Sequence, residues 1–415
     1  MRILYLTQYF VTPDQPGGLR HYAHTRYLQE AGNEVTVITT YVLHKQRVIP
    51  EQYRGKRLVK EEMHGMTIYK VYSSPRFKGF IGRMINYLSF MLNTLWAGTR
   101  LKGSFDVIYA SSPSLFVGLA GYLLSLQKRD RFVLEVRDLW PKSAIDLGFL
   151  KNRLAIWLAT KLELFLYGKA WRVITVTKGI QGNIRGRISE PQKVKLAPNG
   201  VDTELFEAND SIACLELRRS IGGEFITMYA GAHGKNNALD LIIDAANKLR
   251  DEPEIHFVLV GEGDQTERLH TKCSELGLTN VTFLGLKSKR ETAVYLLCSD
   301  ALLWPVNWSH GNPSLKSLKE GACPNKLFDY LAARKPIIST APPSGEGARL
   351  IRDLEAGLVV EPTPEALAQA IHRLYADRDS YQYFGSNTSN KASLLQEHSR
   401  KKIAGKLNSI LNEEA

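Results

Sequence analysis

Short apolar strand-like runs alternate with helical stretches along the whole chain, and the alternation starts afresh near the middle. No other feature limits the fold so tightly. The strand candidates of the first half are 2–7, 35–39, 67–72, 106–110, 132–136, 173–176 and 194–196. Those of the second half are 225–229, 256–260, 281–284, 301–304, 336–339 and 358–360, with helices such as 238–249 and 264–276 between them. Strand–helix alternation predicts parallel sheets with helices on both faces. Two such series predict an α/β chain of two doubly wound, Rossmann-like domains facing a cleft. Pro198-Asn199-Gly200 breaks the pattern with turn residues and sets the boundary. Residues 1–198 then form the first domain, 199–380 the second, and 381–415 a C-terminal helix free to pack back on the first.

Charge is divided unequally along this frame. Residues 1–200 hold 30 Lys+Arg against 13 Asp+Glu, and 201–415 hold 24 against 29. A basic half beside a neutral-to-acidic half implies an oriented partner surface, either anionic lipid headgroups or nucleic acid. Cys214, Cys273, Cys298 and Cys323 form no C-x-x-C pair and no cluster with histidine. They read as four free thiols in a reducing compartment, with no metal site. The apolar start Arg2-Ile3-Leu4-Tyr5-Leu6-Thr7 is one strand long and lacks the core of a signal peptide, which places the chain in the cytoplasm.

Two uncharged runs test for membrane spans. Residues 84–99 are too few to cross a bilayer, which takes about 20. Ser111-Ser112-Pro113-Ser114 splits residues 107–127 into a strand and a helix. In the first run Ile81, Ile85, Leu88, Leu92 and Leu95 recur at helical spacing, and Lys78, Arg83, Arg100 and Lys102 flank them. The pattern suits either a core-facing helix or one lying in a headgroup layer.

Three segments carry the chemistry. Gly17-Gly18 follows the first strand and precedes a helix with Arg20, His21, Tyr22 and His24. Such a pair lets backbone approach a ligand at a helix start, although a plain turn uses the same residues. The run from Ile226 through Gly231, His233, Gly234 and Lys235 opens the second domain as strand, glycine turn and helix. It can admit a diphosphate to the helix start, with Lys235 neutralising charge. Gly261-Glu262-Gly263 places small residues at another strand end, where α/β sheets bind ligands. The third segment runs from Pro324-Asn325-Lys326 through Asp329 to Pro336. Lys326 and Asp329 share a helix face. They form either a surface ion pair or a clamp with lysine on phosphate oxygens and aspartate on ribose hydroxyls.

At this last segment the sequence resembles glycosyltransferase family 4, and within it the bacterial transferases of acetamido-deoxy sugars in O-antigen and capsule repeats. Gly17-Gly18, the run Gly32-Asn33-Glu34-Val35-Thr36-Val37, Arg137-Asp138-Leu139-Trp140-Pro141, Pro198-Asn199-Gly200-Val201-Asp202 and the 324–336 segment carry the likeness in family order. The resemblance implies a GT-B fold and retaining transfer, from a UDP-sugar to a polyprenyl-diphosphate-linked saccharide, at an anionic membrane surface on the cytoplasmic side. It implies no cofactor and no obligatory metal. It assigns Gly231, His233, Gly234, Lys235, Glu262, Asn325, Lys326 and Asp329 to the donor, Gly17, Gly18 and His21 to the acceptor, and Asp138 to catalysis. Gly321 stands where the family's E-x7-E pattern has its first glutamate, with Glu320 one place off.

Rival classes remain. A dehydrogenase or sugar epimerase would carry a three-glycine fingerprint after the first strand, and the residues after Thr7 do not. A basic nucleic-acid-binding protein would explain the charge split, but no zinc, helix-turn-helix or aromatic RNA-binding pattern stands out. The one D-x-D, Asp377-Arg378-Asp379, ends a helix and reads as a solvated corner.

Overall fold

The computed structural model describes the chain except for residues 44–47, 77–78, 113, 147, 149, 208–210, 307, 309–322, 378–394 and 414–415. Two compact units emerge. The first joins Met1–Thr12, Gly18–Pro198 and Arg400–Ala415; the second joins Pro13–Gly17 and Asn199–Ser399.

The first unit is built on an eight-stranded sheet in the order β3-β4-β2-β1-β5-β6-β7-β8. Its strands are β1 (Arg2–Thr7), β2 (Glu34–Thr40), β3 (Leu58–Met63), β4 (Met66–Val71), β5 (Val107–Ser111), β6 (Arg131–Val136), β7 (Arg172–Thr175) and β8 (Val194–Leu196). All pairs are parallel except β3 with β4, an antiparallel edge pair. The sequence reading passed over β3 because Lys60, Glu61 and Glu62 give it no apolar run. Successive side chains alternate between faces, as a strand requires. Leu4, Leu6, Ile108 and Leu134 pack on one side, and Ile3, Tyr5, Tyr109 and Val133 on the other.

Helices cover both faces. On the Leu4 face lie α2 (Gly79–Arg100), α3 (Leu115–Lys128), α5 (Arg153–Lys169) and α6 (Lys178–Arg185), with the short α4 (Lys142–Asp146) after β6. Ser114 caps α3 by accepting from Phe116 N–H, and Asn152 caps α5 by accepting from Ala155 N–H. On the Tyr5 face lies α1 (Arg20–Glu30), joined by the last helix, which brings Ile403, Leu407, Ile410 and Leu411 into the same core. Each such side chain contributes about 1.5–3 kcal/mol by leaving water. In α2 the residues turned inward are Asn86, Phe90, Thr94 and Ala97. The stripe Ile81, Ile85, Leu88 and Leu92 faces outward. Among the described residues no helix is long and apolar enough to cross a membrane.

The second unit is a six-stranded parallel sheet in the order β11-β10-β9-β12-β13-β14. Its strands are β9 (Phe225–Ala230), β10 (Ile255–Val260), β11 (Val281–Gly285), β12 (Ala301–Trp304), β13 (Ile337–Ser339) and β14 (Gly357–Val359). Its helices are α7 (Ser211–Ile221), α8 (Asp240–Lys248), α9 (Thr266–Glu275), α10 (Lys289–Cys298), α11 (Asn325–Ala333), α12 (Glu346–Asp353) and α13 (Pro364–Ala376); the chain ends in α14 (Arg400–Asn412), already placed in the first unit. From β9 the chain builds outward to β10 and β11, then crosses back to β12 on the other side. That reversal makes the C-terminal ends of β9 and β12 a switch point, where open α/β sheets bind ligands.

One expectation is overturned. Cys214 of α7 and Cys298 of α10 form a disulfide, their Cα atoms 5.0 Å apart across 84 residues of sequence. Packing of two helices makes the pair, and linear spacing cannot show it. Only Cys273 and Cys323 remain as free, buried thiols. With one disulfide and two free thiols in place of four free thiols, the cysteines no longer point to a reducing compartment.

Candidate functional site

In the second unit the glycine turns after β9 and β10 are laced together. Gly231 N–H donates to Val260 O at 2.9 Å, His233 N–H to Glu262 O at 3.0 Å, and Gln265 N–H to His233 O at 3.0 Å. The backbones come so close that side chains are excluded. A Cβ on Gly263 would lie 2.3 Å from His233 O, and one on Gly261 (φ +126°) 2.0 Å from Gly231 O. Gly234 carries no such demand, because a Cβ there meets its nearest atoms at 3.8 Å. The helix read from sequence at 238–249 begins two residues later. A 3-10 turn at Lys235–Asn237 comes first, and α8 starts at Asp240. Lys235 and Glu262 are exposed, while His233 is buried with Nδ1 3.1 Å from Thr266 Oγ1.

Helix α11 enters this place from β12. Tyr330 keys it to the strand end, its hydroxyl accepting from Ala230 N–H at 2.8 Å. Lys326, in the first turn, donates from Nζ to Tyr229 Oη and Asn237 Oδ1, both at 2.8 Å, and stands 4.4 Å from the Tyr229 ring centre. Only glycine at 231 leaves it room: a Cβ would come within 2.9 Å of Lys326 Nζ and 2.8 Å of Tyr229 Oη. Pro324 offers no side-chain cap to α11; its carbonyl accepts from Leu327 N–H at 3.1 Å, and the helix start carries its partial positive charge toward the glycine turn.

Asp329 is buried, and its Oδ2 pairs with Lys289 Nζ. Its other oxygen and Asn325 Oδ1 find no partner among the described residues. The surface-pair alternative for Lys326 and Asp329 does not hold, since the lysine reaches β9 and the aspartate reaches α10. Sequence reading missed Lys289. Ser288 and Glu291 form a capping box that places Lys289 at the helix start, but nothing local tied it to a residue 40 positions on. Glu320 and Gly321 lie outside the described residues.

The first unit holds a buried polar cluster at the C-terminal ends of β1, β5 and β6. Arg20, 2% exposed, donates from Nε and Nη2 to Glu135 Oε1 at 2.9 and 2.7 Å, and to the carbonyls of Ala197 and Pro198. Ser111 Oγ donates to the other Glu135 oxygen. Burial pushes the Glu135 carboxyl up, but the Arg20 guanidinium against it, helped by Arg137, outweighs burial and holds the group well below the ordinary glutamate range. The signal for this residue was a lone acid in the apolar run 131–136.

His21 sits within this cluster. Arg137 donates to its Nε2 at 2.8 Å, so the ring proton resides on Nδ1 and faces Tyr5 Oη at 2.9 Å. Burial and then Arg137 hold His21 neutral, far below its ordinary value. Asp138, just past β6, is exposed, yet the protein crowded around it raises its carboxyl, with Arg137 opposing. Gly18 precedes α1 without steric demand, whereas Gly17 holds φ +144° and groups with the second unit. A cavity of about 930 Å³ lies elsewhere in this unit, at the N-terminal ends of β6 and β7, and is lined by Arg131, Lys169 and Trp171 among others. It touches none of the residues singled out from sequence.

Two family models divide the chain between them. A glycosyltransferase family 4 model matches residues 17–205, and a glycosyl transferases group 1 model matches 218–391. A putative colanic acid biosynthesis glycosyl transferase, WcaI, of Escherichia coli K12 is 27% identical over 363 residues, covering 84% of this chain and 85% of the relative. The probable glycosyltransferase WbjE of Pseudomonas aeruginosa is 22% identical over 66% of this chain and 67% of its own. Among solved structures, sucrose-phosphate synthase of Thermosynechococcus elongatus superposes with TM-score 0.72 at 19% identity, covering 99% of this chain and 98% of the other. Anabaena HepE with UDP and glucose superposes with TM-score 0.69 at 18% identity, covering 99% of both chains. Transferase models match both halves, which sets aside the epimerase or dehydrogenase alternative. The chain is a glycosyltransferase of the GT-B fold, its first half matching a family 4 model and its second half a group 1 model.

Proposed function

We propose that this enzyme takes a sugar from a UDP donor, with retention at the anomeric carbon, and places it on a polyprenyl-diphosphate-linked saccharide during surface polysaccharide assembly. The sugar we favour is an N-acetylated amino or deoxyamino hexose, and the place of work is the cytoplasmic face of the membrane. Support for the polysaccharide setting comes from relatives such as the colanic acid transferase WcaI and an O-antigen chain mannosyltransferase of Escherichia coli. Support for UDP comes from Anabaena HepE, solved with UDP and glucose.

One observation carries the proposal: Lys326 and the first turn of α11 converge on the glycine turn at Gly231. An ammonium at the positive end of a helix suits a diphosphate, whose charge grows as the glycosyl–oxygen bond breaks. Exposed Lys235 adds a second cation. The free oxygen of Asp329 accepts a ribose hydroxyl while Lys289 balances its charge. In a retaining transfer the acceptor hydroxyl attacks from the face the diphosphate leaves, so the phosphate oxygen takes its proton. Asp138 orients the acceptor side or stabilises positive charge at the anomeric carbon. Gly17, Gly18 and neutral His21 shape the acceptor's place.

Lys326→Ala should weaken UDP binding by about 10- to 100-fold, the loss of a charge-assisted hydrogen bond. Unchanged affinity by calorimetry rejects the phosphate role. Asp138→Asn should bind donor yet turn over slowly, and wild-type turnover removes it from the site. A mass-spectrometric screen of nucleotide sugars, scored by donor hydrolysis, names the sugar.

A further inference from the structure

Helices α2, α3 and α5 lie side by side on one face of the first unit's sheet, joined through a common core. Their inner faces mix apolar side chains such as Phe90 and Leu124 with the buried polar Asn86, Thr94 and Glu163. Their outer faces are strongly apolar. On α5, Leu154, Trp157, Leu158 and Phe165 are 42–65% exposed, at the spacing of one helical stripe. On α3, Leu123 and Leu126 are 40% and 58% exposed. With the outward stripe of α2 these account for ten of the thirteen exposed large hydrophobic side chains among the described residues. A surface helix normally turns polar residues outward, and three neighbours breaking the rule together form a patch that needs a partner.

The charges on this layer say which partner. The three helices carry six cations, at positions 83, 100, 128, 153, 161 and 169, and a single acid, Glu163. That acid is buried and paired with Arg187. The layer therefore shows solvent no carboxylate. Lys161 stands 6.0 Å from the Trp157 ring centre and Lys169 the same distance from that of Phe165, so cations alternate with rings along one helix. Apolar and aromatic side chains at the depth of acyl chains, with lysine and arginine at the phosphates, are what a bilayer interface selects. A protein partner would need an acidic apolar surface matched to three helices at once, whereas an anionic bilayer offers phosphate charge and acyl chains along the whole layer.

We infer that the α2–α3–α5 layer is the membrane-docking face of this enzyme and that its occupant is an anionic phospholipid bilayer, entered by Trp157 and the leucines around it. The inference builds on the lipid-linked acceptor proposed above and extends it. It names the surface and shifts the anchor from α2 alone to all three helices.

Flotation with vesicles tests it directly. The full chain should float with phosphatidylcholine–phosphatidylglycerol vesicles, less so as salt rises, and stay behind with phosphatidylcholine alone. Trp157→Asp with Leu158→Asp should abolish flotation. Arg153→Ser, Lys161→Ser and Lys169→Ser together should lower partitioning about fivefold per cation removed. Should the aspartate pair fail to fold by circular dichroism, the serine triple, which leaves the core untouched, decides. Wild-type protein that ignores the anionic vesicles, or variants that float like wild type, overturn the inference. So does a dimer that Trp157→Asp dissolves in the absence of lipid binding, because a second copy would then be the occupant. Hydrolysis of a UDP-sugar without vesicles should be equal in wild type and variants; its absence in wild type would count against the transferase reading and leave the flotation result standing.

Discussion

Gly231→Ala and Gly234→Ala form a matched pair in one turn. Neither glycine has the positive φ that would make alanine strained for its own sake. The two differ in what a methyl group would meet. At 231 it would lie 2.9 Å from Lys326 Nζ and 2.8 Å from Tyr229 Oη, about 0.6 Å inside ordinary contact. Both atoms are the far ends of side chains, so the fold can yield. Moving Lys326 by that amount sacrifices its hydrogen bond to Tyr229 or to Asn237, a cost of about 1 kcal/mol. Ligand binding should suffer more, because a charge-assisted bond to phosphate depends on where the ammonium sits. Losing it costs about 1.5–3 kcal/mol, or about 10- to 100-fold in Kd. At 234 the methyl meets nothing nearer than 3.8 Å, and affinity should stay within about twofold of wild type. Titration calorimetry with UDP, alongside thermal melts, reads both numbers. The reasoning is refuted if Gly231→Ala binds UDP as wild type does, or if Gly234→Ala loses as much.

Other outcomes follow from the same geometry. Gly261→Ala should lower stability by more than about 3 kcal/mol in thermal denaturation, since its Cβ meets a carbonyl oxygen at 2.0 Å in a conformation alanine avoids. Arg20→Met should cost about 3–5 kcal/mol by chemical denaturation, because Glu135 would be left buried without its cation, and Arg20→Met with Glu135→Leu should recover much of that. Stability should fall on acidification. His21 and His24 are held neutral by burial, so below their unfolded value of 6.5 only the unfolded chain takes up protons. The loss approaches about 1.4 kcal/mol per pH unit for each histidine. Glu135 adds to it below 4.5, its stabilisation being present above that pH and lost beneath it. His24→Leu should flatten the acid limb of a stability-against-pH curve by one proton, and an unchanged slope would show that this histidine does not titrate on unfolding.

The fold was legible because buried parallel strands are near-continuous apolar runs. Every strand run read from the sequence has its counterpart, with ends that agree to within one residue. What escaped lacked that signature. Strand β3 is an edge with charges on it, and an edge has one partner and an exposed side. Site residues were legible where they cluster along the chain, as at 231–235 and 325–329. Glu135, Lys289 and the Cys214–Cys298 pair were not, because each is defined by a partner on another element. The α2 stripe was visible, but periodicity shows that a face exists and not which way it turns; the core claimed Asn86, Phe90 and Thr94 instead.

The first unit is closed by the last helix of the chain, since Ile403, Leu407, Ile410 and Leu411 complete the core beneath β1, β2 and β5. During synthesis the first unit therefore waits for the last helix, its amino-terminal strands made early and covered on that face by α1 alone. Removing the final residues wounds the portion made first.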